Sequence, residues 1–171
     1  MNKLLKTSVL IAAFAPAVTL AQAVNGDNEV TISGTGGSDK DFDATVFGLT
    51  GSYGKYISDM GQAGVRQNIT ISDTEGEETD FDGATVIYYD HHFNLDRLRP
   101  FVGLNVGYNY GDTTEETFSA GPELGLKYYV LEKTFIQGMV QYQFLFEDAD
   151  EIDDRSDDGR YYYSVGMGYN F

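Results

Sequence analysis

The chain has 171 residues, the size of one domain, and no change of composition along it suggests a second core. Acidic residues outnumber basic ones by 27 to 11, and the formal net charge of −16 excludes a basic surface for nucleic acid. The chain has no cysteine, which excludes disulfides and a lipid on an N-terminal cysteine.

Residues 1–23 have the three parts of a secretory signal peptide. Lys3 and Lys6 open the segment, an apolar run occupies 9–18, and the small-residue site Ala21-Gln22-Ala23 ends it. The apolar run is shorter than the roughly 20 residues that a membrane-spanning helix needs, so a cleaved signal peptide is favoured over a membrane anchor. We expect residues 24–171 to form the one folded domain.

From Glu29 onward, large apolar residues alternate with small or polar ones, in runs that turn signals separate. A period of two is typical of β-strands with two different faces. Eight strands are predicted, at 29–35, 44–57, 63–72, 81–93, 99–110, 117–131, 134–146 and 160–171.

The composition of the two faces indicates which one points inward. A soluble barrel would turn its apolar face inward and show many charged side chains to solvent. In this sequence the polar face is made of Gly, Ser, Asn and Gln with few charges, which suits a cramped interior better. We therefore predict an all-β fold, an eight-stranded antiparallel up-and-down transmembrane β-barrel with its apolar face outward.

Aromatic residues lie toward the strand ends of the apolar face, as in the girdles of membrane barrels. The predicted girdle consists of Tyr108, Tyr110, Tyr128, Phe144, Phe146, Tyr161 and Tyr169. If the first strand rises from the periplasm, the three periplasmic connections are short and the four external ones hold 20 of the 27 acidic residues. Short periplasmic turns and longer external loops match bacterial barrels.

The last external loop is a candidate for weak divalent-cation binding, because carboxylates are hard oxygen ligands. Its candidate ligands are Asp148, Asp150, Asp154 and Asp158. Residues 154–159 match the first half of a calcium loop, but the twelfth position is Val165, which offers no side-chain oxygen. We predict no high-affinity metal site and no cofactor.

Charged residues on the polar face are the second candidate site. They are Glu29, Arg66, Asp90, Glu123 and Lys127. A buried charge needs a partner, so we predict an ion-pair network in which Arg66 and Lys127 bridge Glu123 and neighbouring acids. Eight strands leave an interior just wide enough for side chains, and a filled lumen is favoured over an open pore.

The C-terminal sequence Ser164-Val-Gly-Met-Gly-Tyr-Asn-Phe171 resembles the assembly signal of bacterial outer-membrane proteins. The resemblance implies that Ser164, Gly166, Tyr169 and Phe171 are read by the barrel-assembly machinery. The whole of 24–171 looks like an eight-stranded barrel of the OmpA/OmpX type, in the porin-like family, which implies the outer membrane of a Gram-negative bacterium. The peptidoglycan-binding domain of full OmpA proteins is not in this sequence, so no cell-wall tether is expected.

The leading functional interpretation is a non-enzymatic barrel with a structural or surface-interaction role in the envelope. The alternatives are a narrow cation-preferring pore or small-ligand channel and, third, a lipid-modifying enzyme. The only histidines, His91 and His92, are adjacent on a strand and point to opposite faces, so we interpret both as interfacial rather than catalytic. Expected partners are outer-membrane lipid and lipopolysaccharide, the assembly machinery, and divalent cations or a surface ligand. We expect no nucleic acid and a monomer.

Overall fold

All eight predicted strands are present in the computed structural model, which describes residues 23–38, 44–74, 78–113, 116–146 and 160–171. The strands are β1 (Asn28–Ser38), β2 (Ala44–Tyr56), β3 (Gly61–Thr74), β4 (Asp80–His92), β5 (Leu98–Gly111), β6 (Thr117–Tyr129), β7 (Thr134–Phe146) and β8 (Arg160–Asn170). Their ends differ from the predicted ends by at most three residues, the largest difference being the extension of β1 to Ser38.

The strands form one closed antiparallel barrel. Each strand pairs with the next in sequence, and β1 pairs with β8 to close the sheet. The predicted eight-stranded up-and-down all-β fold is confirmed. The seam between β1 and β8 has the shortest ladder, six residue pairs from Glu29↔Asn170 to Gly34↔Val165, whereas β2 and β3 pair over the whole of Ala44–Tyr56.

The two ends of the barrel differ. Three short connections, 57–60, 93–97 and 130–133, lie at one end together with the start of β1 and the end of β8, and we call this the turn end. The opposite end is the loop end. At the turn end Asp96 has a φ of 57°, a left-handed conformation that Asp tolerates in tight turns, and Leu95 and Leu98 exchange two backbone hydrogen bonds around it.

Through the middle of the barrel, side chains alternate between the lumen and the outer wall. On β6, for example, Ser119, Glu123 and Lys127 are buried, while Leu124 and Leu126 are exposed. Glycines let neighbouring side chains and strands approach inside the barrel: a Cβ on Gly121 would collide with the backbone of Tyr142, and one on Gly168 with the ring of Phe135. The core of the protein is thus the polar lumen rather than an apolar interior. In the described ranges, no helix is long and apolar enough to span a membrane.

Candidate functional site in the barrel lumen

Glu123 is the centre of a buried hydrogen-bond network in the middle of the lumen. Arg66 on β3 donates from both terminal nitrogens to the two carboxylate oxygens, each bond 3.0 Å long. Asn105 and Gln141, on the strands to either side of β6, donate their amides to Oε2 of Glu123 at 2.7 and 2.8 Å. All four side chains are buried, so the bidentate ion pair is shielded from solvent, and the two amides add hydrogen bonds to its carboxylate.

The Arg66 guanidinium also lies over an aromatic ring. Its central carbon is 4.6 Å from the centroid of Tyr88 on β4, the strand next to β3. A planar cation stacked on a ring and bonded bidentately to a carboxylate has little freedom to move. The pair therefore fixes the distance between β3 and β6 across the lumen.

A second ion pair lies nearer the turn end. Lys127 Nζ donates to Glu29 Oε1 at 2.6 Å and to Gln62 Oε1 at 3.2 Å, and the hydroxyl of Tyr56 donates to Glu29 Oε2 at 3.0 Å. Lys127 is therefore paired with Glu29 on β1 rather than with Glu123. The reason is register, since Lys127 lies four residues closer to the turn end than Glu123 does, at the level where β1 begins.

Aromatic rings close the lumen at the turn end, and we call this group the aromatic floor. Its members are Tyr56, Phe101, Tyr129 and Phe135, each 0% exposed. The Lys127 ammonium lies 5.7, 5.5 and 5.0 Å from the ring centroids of Tyr56, Phe101 and Phe135. Asn170, near the end of the closing strand, donates to the Tyr129 hydroxyl at 2.7 Å.

Arg99 lies beneath the aromatic floor and ties it to the chain around the first turn. It stacks on the Tyr56 ring at 4.7 Å and donates to the backbone oxygens of Asp59 at 2.6 Å and Ala23 at 2.8 Å. Cleavage after Ala23, as expected for a signal peptide, would remove one of these acceptors. Asp59 and the Tyr56 ring would continue to hold Arg99 in place.

Asp90 differs from the other predicted network residues. It is 2% exposed, yet its Oδ1 has no hydrogen-bond partner among the residues that the structure describes. In the strand register Asp90 lies opposite Gly103, and Gly103 lies opposite Glu123. A Cβ on Gly103 would collide with Asp90 Oδ1, so the glycine is what gives the Asp90 carboxyl room beside Glu123.

His92 is in a different place from the interface that the sequence predicted, and that interpretation is wrong. The side chain is 0% exposed inside the lumen, with ring centroids 5.3 Å from Tyr56 and 5.2 Å from Phe101. Alternation explains this, because the even residues of β4 all point inward. His91 points the other way, is half-buried, and packs edge-on against Phe93 at 5.3 Å.

Sequence reasoning missed the aromatic floor and Arg99. A signal in the sequence could have found them. Phe101 on β5 and Phe135 on β7 stand at positions that alternate with the outward residues Val102 and Ile136, so both rings belong to the inward face. The alternation of each strand therefore places these rings inside the barrel, although the Gly, Ser, Asn and Gln content of this face does not indicate aromatic residues there.

The outer wall carries the predicted girdle residues. Tyr128 and Tyr169 lie at the turn end, whereas the loop end carries Tyr108, Tyr110, Phe144, Phe146 and Tyr161. Neighbouring rings contact one another, as between Tyr142 and Tyr161 at 4.8 Å and between Tyr169 and Phe171 at 6.4 Å. Between the two ends the wall is aliphatic, with Ile87, Leu104 and Val165 exposed by 69, 67 and 67%.

The four residues of the predicted assembly signal lie on both faces of β8 and at its end. Tyr169 and Phe171 are on the outer wall, whereas Ser164 and Gly166 are half-buried on the lumen side. The candidate cation ligands Asp148, Asp150, Asp154 and Asp158 lie outside the described residues. Within the described ranges no group of three or more metal-ligating side chains is present.

Comparison with known proteins supports the fold. No protein-family model matches the chain, and no curated protein is significantly similar to it. The crystal structure of the N-terminal β-barrel domain of Pseudomonas aeruginosa OprF matches with a TM-score of 0.54 and 19% identity, covering 88% of this chain and 100% of that one. A structure from the de novo design of transmembrane β-barrels has a TM-score of 0.49 and 14% identity, covering 88% and 99%. At 19% identity the likeness to the OprF domain is one of fold.

Proposed function

We propose that this chain is a small integral β-barrel of a bacterial outer membrane, with a lumen filled by its own side chains and a non-enzymatic role in the envelope. The observation that carries the proposal is the inverted distribution of side chains. The two ion pairs are buried inside, while large aliphatic residues cover the outside. Soluble monomers rarely expose apolar patches beyond a few hundred Å², and a bilayer is the solvent that favours such a wall.

Three further features support the membrane location. Because the sheet is closed, every strand has a hydrogen-bonded neighbour on both sides. A structure that spans lipid needs this, since lipid offers no water to bond free backbone groups. Aromatic side chains lie at both ends of the outer wall, as girdles do. The fold is also that of the OprF N-terminal barrel domain. Export by a cleaved signal peptide at 1–23 and acidic external loops complete the proposal.

The filled lumen favours a structural role over a pore. The Arg66–Glu123 pair crosses the middle of the barrel, and the aromatic floor closes the turn end. An ion would have to break a bidentate salt bridge and displace packed rings, each with a large free-energy cost. The chain is therefore proposed to stabilise the envelope and to present its loops to surface ligands. Lipopolysaccharide and the assembly machinery are its proposed partners, and the barrel is proposed to be monomeric.

A catalytic role finds little support in the lumen. His92 lies between two aromatic rings, and neither of its nitrogens has a hydrogen-bond partner among the described residues. A general base needs a hydrogen-bonded orienting group and access to a substrate. We propose that His92 is a packing residue of the floor.

Cell fractionation with alkaline extraction, followed by electrophoresis of unheated and heated samples, tests the proposal. An integral barrel stays in the outer-membrane fraction and migrates faster before heating than after it. Planar-bilayer recording then tests the filled lumen, with absence of stable openings as the expected result. A soluble periplasmic protein with one electrophoretic position would overturn the membrane role, and stable openings of nanosiemens size would overturn the filled lumen alone.

A further inference from the structure

On the outer wall, the residues around Gly51 line a groove, because the glycine has no side chain to fill it. Gly51 points outward from β2, and a Cβ built on it would have no other atom within 4 Å. Its register neighbours are Ile32 on β1 and Gln67 on β3. From Gly51 the groove extends across the β1–β8 seam, past Val30, to Met167 and Tyr169. It is open on its outer side and has a volume of about 610 Å³. We call it the Gly51 groove.

The walls of the Gly51 groove are mostly apolar, and Gln67, the polar neighbour of the glycine on β3, has its hydrogen bonds made. Val30, Tyr53 and Val65 flank the glycine toward the turn end. Gln67 donates to the Tyr110 hydroxyl at 2.8 Å and accepts from the Thr85 hydroxyl at 2.8 Å. Since the Gln67 amide is bonded within the wall itself, the groove offers an occupant apolar contact along its length.

The Gly51 groove lies in the turn-end half of the wall. Tyr53 is three residues before the end of β2, Val65 is four residues after the start of β3, and Tyr169 is the penultimate residue of β8. In the orientation of the proposed function, on which this inference rests, the turn end faces the periplasm. The leaflet at this depth consists of phospholipid and not of lipopolysaccharide.

Two exposed lysines lie at the turn end of the groove. Lys55 is on the same outward row as Gly51 and Tyr53, and Lys133 directly precedes Thr134, which lines the groove. Lys55 lies opposite Asn28 on β1, Asn28 pairs with Phe171, and Lys133 directly precedes β7, the strand beyond. The backbones of the two lysines are therefore three strand spacings apart, ~14 Å. Acidic residues also lie nearby. Glu132 is exposed and directly precedes Lys133, whereas Asp27 accepts a backbone N–H from Val24 at 3.0 Å and Asp59 accepts one from Asn25 at 3.1 Å.

We infer that the Gly51 groove holds one acyl chain of an inner-leaflet phospholipid, with the phosphate of its headgroup held between Lys55 and Lys133. The size of the groove favours a lipid over a second copy of the chain. Its twelve lining residues are fewer than the roughly 20–30 per side of a stable protein interface, whereas pockets of about 300–1,000 Å³ suit single small ligands.

Photolabelling in vesicles tests this inference. The protein is reconstituted in phosphatidylethanolamine vesicles containing phosphatidylglycerol with a diazirine on its acyl chain, and labelled residues are mapped by mass spectrometry. Labelling of Val30, Ile32 and Met167 is expected to exceed severalfold that of Val102 and Leu126 on the opposite wall. Replacing Lys55 and Lys133 together by Gln is expected to reduce this excess.

Gly51→Phe fills the groove and is expected to remove the excess labelling. Gly138→Phe is the matched control, because Gly138 is also exposed and a Cβ there would also meet no atom within 4 Å. Even labelling around the wall, or equal loss in both variants, would overturn the inference and leave the proposed membrane barrel standing. A dimer that dissociates in Gly51→Phe would also overturn it, and absence of label from every outward residue would overturn both.

Discussion

Arg66 on β3 holds Glu123 on β6 with two parallel hydrogen bonds of 3.0 Å across the barrel lumen. The guanidinium cannot lose its charge, and the carboxylate has two amide donors in addition. The pair therefore acts as a cross-brace between strands that are not neighbours in the sheet.

Removing one member of this pair should destabilise the barrel strongly. Arg66→Met leaves the Glu123 carboxylate buried without its counter-charge, and we expect a loss of about 3–5 kcal/mol in the free energy of unfolding. The double variant Arg66→Met, Glu123→Leu should recover most of that loss, because it removes both buried charges. Urea unfolding of the reconstituted barrel, followed by electrophoretic mobility, measures this. A double variant that loses as much as the sum of the single variants would contradict the cross-brace.

Asp90 should tolerate replacement by Asn. Its carboxyl lies within hydrogen-bonding reach of Glu123, whereas Oδ1 has no hydrogen-bond partner among the described residues. Asp90→Asn keeps a donor for the Glu123 carboxylate and should change the free energy of unfolding by less than about 1 kcal/mol. Glu123→Gln, measured in the same way, should be far more costly because it leaves Arg66 unpaired. Equal losses in the two variants would contradict this role of Asp90.

These expectations concern residues whose inward position the sequence predicted well. Period-two alternation was enough to place Arg66, Glu123 and Lys127 on one face, because a strand turns every second side chain to the same side. Pairing was harder to predict, since the partner of Lys127 depends on the register and tilt of β1 relative to β6. Sequence separation gives no direct measure of either quantity.

The aromatic floor shows a second limit of sequence reasoning. His92 shares the inward phase of Asp90 on β4, so alternation places it in the lumen. Local alternation does not show that the rings of Tyr56 and Phe101, which arrive from other strands, pack against it. The residues of the aromatic floor contact one another although they are far apart in sequence. Strands can be predicted from neighbouring residues, whereas such contacts cannot.

Gly168 should be intolerant of even a methyl group. A Cβ at this position would collide with the ring of Phe135 in the aromatic floor. We expect Gly168→Ala to lower the free energy of unfolding by about 1–3 kcal/mol, and Phe135→Leu to restore part of it by making room. Gly138→Ala on the outward face of β7 is the control, with little change expected. Similar effects at both glycines would argue against a packed floor.

Phe171 should affect assembly in cells more than the stability of the folded barrel. Its side chain is exposed on the outer wall, and its backbone forms hydrogen bonds of 2.9 Å in both directions with Asn28. Phe171→Ala keeps this backbone pairing, so refolding into detergent should be unchanged. The amount of assembled barrel in the outer membrane should fall severalfold, as measured by heat-modifiable mobility in membrane fractions. Unchanged assembly in cells would contradict the role of this residue in the assembly signal.

The inverted distribution of side chains can be measured directly on β5. The chain has no cysteine, so single cysteines at positions 102, 104 and 106 can each carry a nitroxide spin label in the reconstituted protein. Val102, Leu104 and Val106 are exposed on the outer wall, so their labels should be accessible to oxygen dissolved in lipid and protected from a water-soluble paramagnetic reagent. If the labels at Val102, Leu104 and Val106 instead respond to a water-soluble paramagnetic reagent, the wall faces water and the membrane barrel is contradicted.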